Sequence, residues 1–374
     1  MCVNLILIHP QYKTIISNMK KVLFTICIVL CACGHSDEFY NPDTVINSQK
    51  RIRTDSIYGY DKKEMLSKIE ALSSIDKYLI ISQQSKDTVF QILNMENDSI
   101  IANFGHIGHA RNEFQRYPKT IYCERDRNGL PLLFVLDGVC TKVIDLEESI
   151  TSNSCILRNI IKENKDSYFY YTYHVGNESC FVYKKVSYKD ARDAVYTEPQ
   201  YYMMTGKNKY EWNIHPNIIH PDWSNMVDAA YSNMIRIKPD GSKAISVSNF
   251  IDILTIFDLS TKKTLGIVNP ESYTYAFLEQ EGGENNIKKH LRWFNTSVCV
   301  SDNCFIVLKD GNLYQDVLKE DTEDRCSSIN KYDWNGLLTA SFILDKNLLN
   351  IAFYEKADIL IAFEPSGFIL IILE

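Results

Sequence analysis

Eight histidines are the residues of this 374-residue chain best suited to metal or acid–base chemistry, and four of them form two close pairs. His106 and His109 stand three apart beside Gly105 and Gly108. That spacing lets two imidazoles reach one metal, but no acidic ligand adjoins and the helical HExxH frame is absent, so plain loop histidines are the simpler reading. His215 and His220 bracket Pro216 and lead into Pro221 and Asp222. Two imidazoles and a carboxylate can make a two-His-one-carboxylate site; an ordered loop packed over Trp212 and Trp223 is the competing reading. Aromatic residues from Tyr168 to Tyr173 would lie on both faces of one strand, and Tyr201 with Tyr202 would extend them into a platform for a sugar or peptide, unless they simply fill the core. The acidic run Glu320 to Asp324 lacks the spaced oxygen ligands and central Gly of a calcium loop. There is no GxSxG elbow and no Walker A sequence, and the SxxK spacing of Ser260 to Lys263 falls in a turn. No catalytic residue, metal or cofactor is therefore assigned. His106, His109, Tyr201, Tyr202, His215 and His220 stand as weak ligand-binding candidates.

The N-terminus carries the most specific signal. Lys20 and Lys21 precede an 11-residue apolar run, Val22 to Ala32. A bilayer-spanning helix needs about 20 such residues, whereas a secretory signal peptide needs no more than this. The run ends Leu30-Cys31-Ala32-Cys33, which resembles a bacterial lipobox and implies lipidation of Cys33. Met19 stands where such a signal should start, so residues 1–18 read either as a start-site over-call or as an unusually long n-region. The expected division is a signal peptide over 1–32, a lipidated Cys33 and polar tether over 33–64, and one folded domain over 65–374. Residues 1–32 hold three lysines and no acid, so the overall charge of −7 becomes −10 without them. An acidic body gives no electrostatic reason to bind nucleic acid. The expected location is the outer membrane, anchored by lipid and facing the periplasm or the cell surface, with an envelope protein, peptide or glycan as partner.

Seven of the 11 cysteines lie beyond Cys33: Cys123, Cys140, Cys155, Cys180, Cys299, Cys304 and Cys326. An odd number leaves at least one thiol unpaired, and no CxxC spacing supports a zinc or thioredoxin-type motif. Small buried thiols are the favoured reading. Cys299 and Cys304 flank a Ser-Asp-Asn turn, which leaves a hairpin disulfide open.

The elements that must position these residues are strands. Tyr and Phe number 23 and 17 against four Trp, a bias toward pleated surfaces. From about residue 65, short apolar runs alternate with turn dipeptides such as Asp137-Gly138, Asp240-Gly241, Asp310-Gly311 and Asn335-Gly336, the strongest short-range hairpin signals. The runs fall into six groups of roughly 50 residues, the period of propeller blades. Only 62–72 and 285–292 suggest helical turns. The expectation is an all-β, six-bladed β-propeller of antiparallel sheets behind a lipoprotein signal peptide. Its last blade should be composite, the C-terminal strands sharing a sheet with a strand from about residues 45–75, since otherwise an apolar edge stays exposed.

The stretch Ile101 to Phe114 carries a resemblance. Phe104-Gly105, Gly108, Glu113 and Phe114 are similar to the strand-and-loop signature of six-bladed, TolB-like β-propeller lipoproteins of Gram-negative bacteria, with His109, Ala110 and Arg111 replacing a Gly-Pro-rich stretch. Met234 to Gly241 and Ile329 to Gly336 fit later blades. The resemblance implies fold and location and lends no chemistry. It leaves two functions: a non-catalytic binding or scaffolding module in the cell envelope, or a propeller-type hydrolase or lyase working at the central channel. Convergence of acids and histidines from several blades on one point would favour the second.

Overall fold

The computed structural model describes residues 40–47, 54–57, 61–63, 68–85, 88–97, 99–138, 140–162, 170–175, 179–184, 201–214, 233–269, 292–313, 327–344, 348–364 and 367–373. Three short strands come first: β1 (Thr44–Asn47), β2 (Thr54–Ile57) and β3 (Asp61–Lys63). Among the described residues the strands form six sheets. The first is β4 (Lys68–Ile75), β5 (Tyr78–Gln84), β6 (Phe90–Asn94) and β7 (Ser99–Phe104). The second is β8 (Ile121–Arg125), β9 (Pro131–Asp137), β10 (Cys140–Asp145) and β11 (Leu157–Lys162). The third is β12 (Tyr170–Val175), β13 (Ser179–Lys184), β14 (Tyr201–Thr205) and β15 (Asn208–Trp212). The fourth is β16 (Asn233–Ile237), β17 (Lys243–Ser248), β18 (Ile253–Asp258) and β19 (Thr264–Val268). The fifth is β20 (Arg292–Val300), β21 (Cys304–Leu313), β22 (Ser328–Asp333) and β23 (Leu338–Leu344). The sixth is β24 (Asn350–Tyr354), β25 (Ile359–Glu364) and β26 (Gly367–Ile372), completed by β3. Within each sheet, consecutive strands pair antiparallel as hairpins. Two turns share one sequence logic. In Asp126-Arg-Asn-Gly129-Leu130 and Asp333-Trp-Asn-Gly336-Leu337 the Asp carboxylate accepts the N–H groups two and four residues on, while the Gly takes a φ of +82° or +84°.

The first strands of five sheets touch in a closed cycle: β4 with β8, β8 with β16, β16 with β20, β20 with β24, and β24 with β4. At one end the Arg125 N–H donates to the Pro239 carbonyl at 3.2 Å, so the second and fourth sheets meet directly. The third sheet is set back between them. It is held by aromatic packing: Tyr122 on Tyr173 at 5.3 Å, and Phe181 and Tyr201 on Phe257 at 5.0 and 4.9 Å. The protein is thus an all-β propeller, and the expectation of six blades around the axis is corrected: five enclose it and the third sheet is a wedge. The sequence period counts sheets, whereas the axis is set by which first strands can approach one another. Apolar clusters fill each junction, joining the first and second sheets, the second through fourth, the fourth and fifth, the fifth and sixth, and the sixth and first.

The composite closure is present, with β26 pairing antiparallel to β3. More of the N-terminal stretch is folded than the tether reading of 33–64 allows. β1 and β2 add parallel strands to the outer edges of the fourth and fifth sheets, on β19 and β23. The polar composition of this stretch suits edge strands, which need one ladder of backbone hydrogen bonds and few apolar side chains. Tyr40 anchors its start: it is buried and its hydroxyl shares a 2.8 Å hydrogen bond with Thr255 Oγ1. Gly266 makes room for it, since a Cβ there would stand 2.5 Å from Tyr40 Oη. The helical turn expected over 62–72 is replaced by β3 and β4, where sheet pairing overrides local preference. One short helix, α1 (Leu146–Ser152), follows β10. Its cap is Asp145, whose carboxylate accepts from Glu148 N at 2.9 Å.

Candidate functional site

The five first strands run in the same direction, so their C-terminal ends and the turns after them gather at one mouth. A cavity of about 650 Å³ lies there. The first sheet supplies Asp76 and Lys77 from the β4–β5 turn, with Glu96 beyond β6. The second supplies Arg125 at the end of β8 and Glu147 from α1. The fifth supplies Asp302, and the sixth Tyr354, Glu355 and Lys356. Arg125 is the hub. Its Nη1 contacts both Asp302 carboxylate oxygens at 3.0 Å and its Nη2 donates to Asp76 Oδ1 at 2.6 Å. Burial works against its charge, but the two carboxylates more than offset this and raise its pKa. Tyr354 Oη donates to Glu96 Oε1 at 2.9 Å, and Lys356 Nζ lies 3.3 Å from the same oxygen. These two donors hold the Glu96 carboxyl below its ordinary pKa. Asn303 N donates to Glu355 Oε1 at 3.1 Å. Polar links therefore join sheet to sheet around the mouth. Among the described lining residues five acids face three bases, and none is a histidine.

Below the mouth the axis narrows to a pocket of about 20 Å³ lined by Leu72, Tyr122, Cys123, Arg236, Cys299 and Ile351, among others. Burial pushes the Cys123 thiol up to about 12 and raises that of Cys299 as well. A thiol kept protonated is a poor nucleophile. Beyond the waist, where the first strands begin, a second cavity of about 210 Å³ is lined by Glu70, Lys119, Tyr173, Asn233, Arg236 and Asn350 with neighbouring backbone. Among the described lining residues, the third sheet reaches the axis here, through Tyr173.

The sequence candidates lie elsewhere. His106 and His109 are exposed on the loop after β7, and neither lines the axial cavities. That loop is pinned by Phe114, which is buried, and by Lys142, whose ammonium lies over the Phe114 ring at 4.7 Å and pairs with the buried Asp137 at 2.7 Å. Tyr201 and Tyr202 are buried within the wedge, and the Tyr201 hydroxyl is engaged by Ser246 and Asn233 at 3.0 Å each. Burial raises the Tyr201 pKa well above its ordinary value. His215, His220, Cys33 and Cys326 lie outside the described residues. Cys299 and Cys304 are both free thiols. The hairpin register sets Cys299 opposite Ile306, and Cys304 hydrogen-bonds Ser301, so the disulfide left open by the sequence does not form. Sequence reading missed Arg125, Asp76 and Asp302. Each sits in or beside the turn after a first strand, a position that gains meaning only when the ring brings five such turns together.

No family model matches the chain, and no curated protein matches it. Among solved structures, it is similar to a candidate exported protein of Bacteroides fragilis NCTC 9343, with 11% identity over 88% of this chain and 100% of that one, at a TM-score of 0.51. It is also similar to a member of the DUF4221 family from Bacteroides vulgatus, with 10% identity over 83% of this chain and 96% of that one, at a TM-score of 0.48. At such identities the first likeness bears on the fold alone, which is that of a β-propeller.

Proposed function

We propose that the protein is a cell-envelope propeller, anchored in the outer membrane by lipid on Cys33, that binds a ligand at its channel mouth without transforming it. The observation that carries the binding reading is the mouth cavity itself. It is large enough for a small ligand, and its carboxylates are engaged by Arg125, Lys356, Tyr354 and backbone N–H groups rather than by a nucleophile or a histidine. Its excess of acids, five against three bases among the described lining residues, favours a cationic partner, a basic peptide or an amino sugar. The envelope location rests on the lysines, apolar run and Cys33 of the N-terminus, and it accords with the candidate export of the similar Bacteroides fragilis protein. The resemblance of Phe104 to Phe114 to TolB-like lipoproteins points the same way.

Two carboxylates, Asp76 and Asp302, do converge from different sheets, which keeps a hydrolase or lyase as the second reading. One experiment separates them. The purified full chain is screened on arrays of basic peptides and of neutral and amino sugars, and assayed on chromogenic ester, phosphate-ester and glycoside substrates. Retention without turnover, lost in Glu355→Lys, supports the binding reading. Turnover abolished by Asp302→Asn would replace it with catalysis. Fatty-acid labelling that spares Cys33→Ser supports the anchor, and equal labelling of both proteins would remove it.

A further inference from the structure

The basal cavity carries a guanidinium that no carboxylate among the described residues pairs with. Arg236 lies on β16 and borders both the waist and the basal cavity. A guanidinium has five N–H donors and stays charged at any working pH. Arg236 donates from Nη1 to the Ile235 carbonyl at 2.9 Å, and no carboxylate among the described residues pairs with it. The mouth arginine offers the contrast, since Arg125 spends its donors on two aspartates.

Asn350, at the start of β24, adds a second donor. Its carboxamide oxygen accepts from Ser297 Oγ and from Ile351 N. Both contacts fix the oxygen side, which leaves the NH₂ side for the cavity that Asn350 lines. Lys119, 78% exposed, stands at the rim. The one acid of the cavity, Glu70, is occupied: it accepts from Gln84 Nε2 and lies 3.9 Å from Lys119 Nζ. Two cations thus face one engaged carboxylate.

We propose that the basal end of the channel is an anion site for a small carboxylate, gripped by the Arg236 guanidinium and the Asn350 amide, with Lys119 drawing it in. A planar guanidinium matches a carboxylate through two parallel N–H···O bonds. The volume, about 210 Å³, equals that of about seven waters, which suits a short mono- or dicarboxylate. The site lies at the end of the axis opposite the proposed ligand mouth and stands independently of that reading.

The test uses the full chain in detergent and succinate as probe. At constant ionic strength, thermal unfolding and calorimetry are followed against succinate, inorganic phosphate and choline chloride. Saturable stabilisation by succinate is expected, and none by choline. Arg236→Met should weaken succinate binding by about ten- to a hundredfold, the worth of a hydrogen-bonded charge. Arg236→Lys should lose about tenfold, because it keeps the charge without the fork. Should Arg236→Met fail to fold, Lys119→Glu serves, since its side chain is solvent-exposed; it should weaken binding severalfold while Glu355→Lys at the mouth leaves it unchanged. No saturable response to succinate, equal binding in Arg236→Lys and Lys119→Glu, or a response to phosphate alone would each overturn the proposal.

Discussion

The two ends of the channel handle charge in opposite ways. At the mouth, acids and bases from different sheets meet in the open: the Arg125 side chain is 27% exposed, and its partners Asp76 and Asp302 are 44% and 45% exposed. On the basal side two ion pairs are dry, while the Lys119 end of the Glu70 pair at the cavity rim stays exposed. Lys309 reaches from the fifth sheet to Asp252 of the fourth at 2.5 Å, with exposures of 16% and 4%, and Lys142 pairs with Asp137 at 6% and 1%. Water screens the mouth pairs, so they hold turns in place and remain exchangeable for a ligand's groups. Those two dry pairs cannot be opened without leaving a buried charge. The mouth is therefore built to be rearranged and the basal side to be kept. Within that fixed side, Arg236 is the exception.

This contrast can be broken most directly by removing one cation from each kind of pair. Lys309→Met would strand the Asp252 carboxylate, which would then keep only Asn269 Nδ2 at 3.0 Å among its described side-chain partners. It should cost about 3–5 kcal/mol in chemical denaturation. Arg125→Met should cost only about 1 kcal/mol, and that loss should shrink as salt is added. Equal costs, or a salt-independent loss at Arg125, would show that the mouth is as rigid as the base.

A smaller effect sharpens the same point through pH. The Tyr354 hydroxyl and the Lys356 ammonium lower the folded-state pKa of Glu96, so the group binds its proton less readily folded than unfolded. Its contribution to stability is complete above the unfolded value, about pH 4.5, and is lost as pH falls through the lowered folded value. Stability measured from pH 7 down to pH 3 should therefore fall less steeply in Glu96→Gln than in the wild type. Parallel acid limbs would show that the Glu96 cluster is not formed in solution. The smallest effect concerns the waist. With the Cys123 thiol raised to about 12 and that of Cys155 to about 11, the native protein at pH 8 should leave both unlabelled by iodoacetamide, while the unfolded chain labels at once. Rapid native labelling of Cys123 would mean that the waist opens and that the two ends communicate.

Much of the fold could be read from local pattern. Strands such as Asn233–Ile237 and Pro131–Asp137 follow from apolar runs beside Asp-Gly or Asn-Gly turns, because turn chemistry and strand propensity act over a few residues. The need for a partner to the last apolar strand was legible too, since an exposed edge is costly wherever it lies. The belt of β1 to β3 was less legible. Its residues are polar and become strands only because the outer edges of three sheets accept them.

The site residues divide along the same line. The amino-acid sequence by itself determined the acidic balance, a property of composition, and the class of local structure and the basic, apolar, Cys-terminated pattern of residues 20–33, which are properties of neighbouring residues. Only the tertiary structure decided that five sheets and not six enclose the axis, because that depends on which first strands approach one another across the ring. It alone decided that Asp76, Arg125 and Asp302, up to 226 positions apart, share one mouth while Arg236 meets no carboxylate among the described residues. Closing a ring brings the ends of distant strands to a common axis, and no short-range pattern encodes which charges will meet there.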